Sequence, residues 1–145
     1  MVELRRPREI LILKKRVQRR AYLGLERDRE RVRLSYFSRS EDLLAAVDRR
    51  TGDAILAHMD DLCAHAEALA FCKRMKAHGR ARDLPLLLIG RFHDKAEATD
   101  LLRAGADELL PEEVDPEYGR ARLEVWLRMR ERLDDLSRAK RKVQE

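Results

Sequence analysis

Short apolar runs alternate along the chain with longer stretches in which apolar residues recur every three or four positions. The runs fall at residues 10–13, 32–37, 54–57, 84–89 and 108–110; helical spacing fills 17–27, 41–49, 62–78, 95–104 and 116 onward. Ile10-Leu11-Ile12-Leu13 shows no polar alternation, the mark of a strand covered on both faces. The second helical stretch carries a start signal: Ser38 and Glu41 stand in S-x-x-E spacing, and Ser40 is placed to cap directly. Gly52, Gly79 and Gly105 each follow a helical stretch as stop signals. Five strands alternating with five helices predict βαβ units and a three-layer α/β domain with a parallel sheet. Right-handed crossovers then favour the flavodoxin-like strand order 2-1-3-4-5.

The chain has 145 residues, enough for one domain with a substantial core. We expect the domain body to occupy residues 1–120 and the last helical stretch to continue past it through 121–145. No apolar run approaches the ~18 residues of a membrane span, and the charged start lacks a signal-peptide core. Cys63 and Cys72 lie nine apart in one helical pattern, too far to bond to each other. Reduced thiols and a cytoplasmic location are the expectation. The net charge of +5 is uneven. Residues 1–33 hold twelve Lys/Arg against five Asp/Glu and residues 120–145 hold nine against five, so the middle is acidic. A basic edge attracts nucleic acid or acidic lipid, but no aromatic residues interleave with the arginines as a base-stacking platform requires. A solvated Arg-rich surface is the simpler reading.

Doubly wound domains often bind nucleotides, and that chemistry is missing from the motifs. The loop after the first strand reads KKRVQRR, without the glycines and hydroxyls that wrap a phosphate. No nucleophile elbow is present. His58, Cys63 and His65 match no metal-ligand spacing and lack an evident fourth ligand, so no cofactor and no metal is expected.

Three segments carry a likeness to a known family. RDLPLLLIG (82–90) is similar to the fourth strand of response-regulator receiver domains, LLRAGADELLPEEVDPE (101–117) to the stretch from their fourth helix into the fifth, and DAILAHMDD (53–61) to their third strand and following loop. The sequence thus resembles a receiver over roughly residues 8–120. The resemblance implies a phospho-acceptor aspartate after strand 3, an acidic pair for Mg²⁺ after strand 1, a hydroxyl residue after strand 4 and a lysine after strand 5. Every matching position departs. Lys14 and Lys15 stand for the acidic pair, His58 for the acceptor, Gly90 for the hydroxyl and Glu112 for the lysine; Glu113 replaces the usual following proline. Two ammonium groups repel the cation that carboxylates would hold, and without it little neutralises charge during phosphoryl transfer. The expectation is a degenerate pseudo-receiver without enzymatic activity. Lys14 or Lys15 pairing with Glu112, Asp60 or Asp61 would lock one conformation; independent exposed charges are the alternative. Asp60 and Asp61 are near enough to stand in as acceptor, but the rest of the transfer machinery is missing with them.

The last helical stretch continues to Glu145 without Gly or Pro after Gly119. Trp126, Met129, Leu133, Leu136, Lys140 and Val143 recur at 3,4,3,4,3 spacing, the a and d positions of a short coiled coil with Lys140 as its polar a residue. Trp126 and Met129 also suit packing on their own domain. The expected assembly is a parallel homodimer through this helix. In receivers such helices often lead to an output domain, of diguanylate cyclase or histidine kinase type, and a following domain is expected here. The expected function is phosphorylation-independent regulation by protein–protein contact, with nucleic-acid binding through the basic edge and tail as the alternative.

Overall fold

The computed structural model describes residues 6–15, 24–25 and 30–144. The helix expected over 17–27 falls outside these residues except for Gly24 and Leu25. Five parallel strands form one sheet in the order β2-β1-β3-β4-β5. They are β1 (Arg8–Leu13), β2 (Val32–Phe37), β3 (Ala54–His58), β4 (Leu86–Gly90) and β5 (Glu108–Pro111). The expected flavodoxin-like order is the observed one.

Strand periodicity splits the core in two. Leu11, Leu13, Ile55, Ala57, Leu86 and Leu88 face one side, against α1 (Ser40–Asp48), α3 (His65–Ala77) and α4 (Lys95–Ala104). Ile10, Ile12, Ala54, Leu56, Leu87 and Ile89 face the other, against Leu123, Trp126 and Leu127 of α5 (Pro116–Gln144). Because both faces are covered, β1, β3 and β4 need no polar alternation. Among the described residues no helix is long and apolar enough to cross a membrane.

Several local expectations are corrected. The stretch 62–78 is two helices, a single turn α2 (Met59–Leu62) and then α3. Cys63 between them has φ 63 and ψ −49, the centre of a γ-turn closed by the Ala64 amide donating to the Leu62 carbonyl at 2.7 Å, which stops the first helix. The residue that caps α1 is Arg39, with extended backbone and no side-chain bond. Glu41 does not reach back as a capping box requires, because its carboxylate meets Arg74 at 2.9 Å and Arg39 at 3.4 Å. Gly52 is not a helix stop. It lies after the α1 C-cap Arg49 and gives clearance to Leu11, whose Cδ1 would stand 2.5 Å from an added Cβ. Gly105 does close α4, as its C-cap. Strand β4 starts at Leu86, two residues later than the apolar run, because the 3₁₀ turn Gly79–Asp83 and then Leu84-Pro85 lead into it.

Asp107, from the Gly-Ala-Asp segment, ties the fold together at the start of β4. One carboxylate oxygen accepts the Leu86 amide at 2.8 Å and the Lys76 ammonium at 2.7 Å. Asp53 does the same for β1, accepting from the Glu9 amide at 2.8 Å and from Arg6 at 3.1 Å. Both satisfy backbone donors where strands begin, which is where parallel sheets leave them open.

Candidate functional site

The sheet brings the five expected positions to one edge. Leu13 pairs with Ala57, His58 with Ile89 and Gly90 with Pro111, so Lys14, His58, Gly90 and Glu112 follow one another across the carboxyl ends of β1, β3, β4 and β5. The Glu112 amide donates to the Gly90 carbonyl at 2.9 Å, which continues the ladder past the strand.

The two lysines engage groups the sequence did not suggest. Lys15 Nζ pairs with Glu67 of α3 at 2.5 Å, and Lys14 Nζ stands 5.2 Å from the centre of the Tyr36 ring on β2. The lock expected from a lysine to Glu112 is replaced by a different pair.

That pair joins His58 to Glu112. His58 is only 4% exposed, and its Nδ1 accepts the Asp60 amide at 3.1 Å, capping α2. An accepting Nδ1 carries no proton, so the ring proton of the neutral imidazole sits on Nε2. Nε2 faces Glu112 Oε1 at 3.5 Å, longer than a good hydrogen bond, and Asp60 Oδ2 lies 3.8 Å from Nδ1. Arg91 Nε holds the other Glu112 oxygen at 3.2 Å. A receiver sets an anionic acceptor against a cationic lysine; this chain sets an imidazole against a carboxylate.

Gly90 does more than lack a hydroxyl. Its φ is +149, and an added Cβ would lie 2.8 Å from Met59 Cβ and 3.0 Å from Met59 Cγ. Met59 therefore occupies the space a side chain at position 90 would need. Signals for Met59 and Arg91 exist only as neighbours in sequence of His58 and Gly90; nothing in their spacing announces a role.

Chemistry at this edge is restricted. Mg²⁺ takes carboxylate, phosphate and water oxygens, and the residues after β1 are Lys14 and Lys15, so they do not fit that ion. His58, Asp60 and Glu112 bring potential ligand atoms within 4.8 Å of one another. Ligation through Nδ1 would break the α2 cap, and ligation through Nε2 would need its proton removed while Nδ1 stays an acceptor. Glu112 is already shared with Arg91. In the tautomer with the proton on Nε2, the lone pair that would attack a phosphodonor is the Nδ1 one, which the capping bond occupies. Asp61 is fully buried within α2, so it presents no exposed carboxylate to a phosphodonor; Asp60 is exposed. His65, on α3, faces Glu97 at 3.7 Å and Asp100 at 3.5 Å, and Cys63 is exposed.

At the other end of the sheet α5 runs beyond the domain. Leu123 and Leu127 are buried, and Trp126 packs against the same core with its Nε1 donating to Glu108 at 3.3 Å. Arg122 grips that carboxylate with two bonds of 2.8 and 3.1 Å and, first among the causes, holds Glu108 below the usual carboxylate range. Trp126 is thus turned to its own sheet. Met129, Leu133, Leu136 and Val143 are 43%, 63%, 65% and 86% exposed. At about 100° per residue they lie roughly opposite Leu127. Lys140 is exposed among them.

No family model and no curated protein matches the sequence. Solved structures do match. CheY4 of Vibrio cholerae, a chemotaxis response regulator, is 13% identical with a TM-score of 0.65, over 82% of this chain and 98% of that one. The receiver domain of the sensor histidine kinase PA1611 from Pseudomonas aeruginosa PAO1, with a magnesium ion coordinated in its active site cleft, is 15% identical with a TM-score of 0.62, over 84% and 98%. NtrX of Brucella abortus, in complex with ADP, is 16% identical with a TM-score of 0.74, over 97% of this chain and 30% of that one. At these identities the likeness establishes architecture: this chain has the fold of response-regulator receiver domains, with a long carboxyl-terminal helix.

Proposed function

We propose that this protein is a signalling pseudo-receiver that works without phosphorylation, dimerises through α5 and regulates a partner or attached output domain by contact. The observation that carries this reading is the charge reversal at the carboxyl edge, with His58 set against Glu112 and Met59 filling the space beside Gly90. With the acceptor, metal and cation positions all changed in character, phosphoryl transfer has no chemical support there. The function left to the fold is interaction, and the exposed apolar seam on α5 supplies a surface for it. The NtrX match supports an attached output domain, because it takes in nearly all of this chain but 30% of that longer protein. The nucleic-acid alternative is weaker. Arg6, Arg8, Lys15, Arg74 and Arg122 each pair with a carboxylate of the same chain, which reduces the charge offered to phosphates. Light scattering with and without Mg²⁺ plus acetyl phosphate tests the proposal. A dimer of unchanged mass is expected in both conditions; a monomer, or a dimer formed only with the phosphodonor, would overturn it.

A further inference from the structure

A pocket of about 230 Å³ opens between the turn after α2 and the start of α4. Cys63, His65, His93 and Glu97 line it, which places a thiol, two imidazoles and a carboxylate around one space. In the sequence Cys63 and His65 lack further ligands; the fold supplies His93 from the loop after β4 and Glu97 from α4.

Two of the four are already in contact. His65 Nδ1 is closed off from solvent, has no hydrogen-bond partner among the described residues, and stands 3.7 Å from Glu97 Oε1. That is too long for a hydrogen bond in either tautomer. It is near the spacing of two ligand atoms on one ion, since bonds of about 2.0–2.1 Å at a tetrahedral angle set them about 3.4 Å apart. Both groups are also held from behind. The other Glu97 oxygen accepts the His93 amide at 2.9 Å, so the His93 ring pivots from a point beside Glu97. His65 Nε2 faces Asp100 Oδ2 at 3.5 Å. A carboxylate behind the second ring nitrogen is the usual support of a metal-bound histidine, because it orients the ring and leaves the first lone pair for the ion.

We propose that this pocket binds Zn²⁺ through Cys63 Sγ, His65 Nδ1, Glu97 Oε1 and a ring nitrogen of His93. His65 and Glu97 stand in place; Cys63 and His93 are exposed and close on the ion by side-chain rotation. The donors select the ion, because thiolate and imidazole suit zinc whereas Mg²⁺ and Ca²⁺ take oxygen ligands. As the sulfur–zinc bond forms, the Cys63 thiol proton passes to solvent. Thiolate and carboxylate then cancel the charge of the dication, which the amino ends of α3 and α4 would otherwise repel. Arg91 also reaches the pocket, but its Nε is held by Glu112 at 3.2 Å. The ion would tie the turn after α2 to α3 and α4. It uses neither His58 nor Glu112, and the proposal depends neither on dimerisation nor on the loss of phosphorylation.

Calorimetric titration of Zn²⁺ into the chelator-treated full chain, with Co²⁺ as the spectroscopic probe, tests the site. One ion per chain is expected, and cobalt should show a thiolate charge-transfer band with the strong visible absorption of tetrahedral coordination. Cys63→Ser should abolish that band. Asp100→Asn should weaken zinc binding about 10–100-fold, and His93→Gln at least as much. Cys63 and His93 are exposed, so these variants keep the fold, which circular dichroism verifies. Zinc should also protect Cys63 from iodoacetamide. Absence of binding overturns the proposal. So does an ion bound without the thiolate band, or equally well by Cys63→Ser and His93→Gln, since that is an adventitious surface chelate. Binding lost in Glu112→Gln but kept in those two variants overturns it as well, by moving the ion to His58, Asp60 and Glu112.

Discussion

Placing even a methyl group on Gly90 should destabilise the protein, and the reason can be resolved into two parts. Gly90→Ala puts a Cβ at 2.8 Å from Met59 Cβ, 3.0 Å from Met59 Cγ and 3.3 Å from the Met59 amide nitrogen, on a backbone with φ +149. Backbone strain of this kind costs about 1–3 kcal/mol. Overpacking of a tight contact adds about 1–3 kcal/mol. A total near 3 kcal/mol corresponds to a loss of about 6–12 °C in Tm for a chain of this size. Met59→Gly removes the two side-chain contacts but leaves the amide contact and the strain. A double-mutant cycle should therefore give a coupling energy of about 1–2 kcal/mol between positions 59 and 90. Urea unfolding followed by Trp126 emission at fixed chain concentration measures all four corners, since this is the sole tryptophan. If Gly90→Ala unfolds within about 0.5 kcal/mol of the wild type, the ordinary range for a harmless surface change, then Met59 does not close this position.

Other predictions follow from separate parts of the molecule. His58→Ala removes the α2 cap and opens a cavity, and should cost more than His58→Asn, which can still accept the Asp60 amide; a cap alone is worth about 0.5–2 kcal/mol, read as a shift in urea midpoint. Burial pushes the Cys72 thiol up to about 11, so iodoacetamide at pH 8 should modify Cys63 alone, as peptide mass mapping would report. A bond to its own backbone amide, then Arg74, lowers the Glu41 carboxyl from 4.5 to about 2. Its stabilising contribution is therefore whole above about pH 4.5 and lost as pH falls through about 2, and Glu41→Gln should flatten that part of the stability profile. Leu133→Asp with Leu136→Asp should convert the dimer to a folded monomer, with unchanged far-ultraviolet circular dichroism and half the mass by light scattering.

The sheet was legible because β1, β3 and β4 are buried on both faces, and continuous apolar runs follow directly from that burial. The edge positions were legible too, since strand ends fix which residues line up once the order is known. Side-chain partners were not. Lys15 reaches Glu67 across fifty-two positions of sequence, and Glu112 finds His58 through the sheet, separations that no local pattern encodes. The cap of α1 and the break at Cys63 escaped for a related reason: Glu41 was drawn away by Arg74 of α3, and Cys63 centres a γ-turn of positive φ that its residue type does not announce. Gly52 and Gly90 both read as simple features of loops or chemistry, yet each is also required by a side chain packed where its Cβ would be.

The carboxyl edge of this sheet is expected to take no phosphoryl group. Intact-mass spectrometry of the full chain after incubation with acetyl phosphate and Mg²⁺ tests it most directly, with His58→Asp run beside it as a chain that regains the acceptor carboxylate alone. No phosphoryl adduct is expected on either protein, because Lys14, Lys15 and Glu112 deny the metal and the stabilising cation. A single phosphoryl adduct on the unmodified chain, lost in Asp60→Ala or His58→Asn, would contradict it.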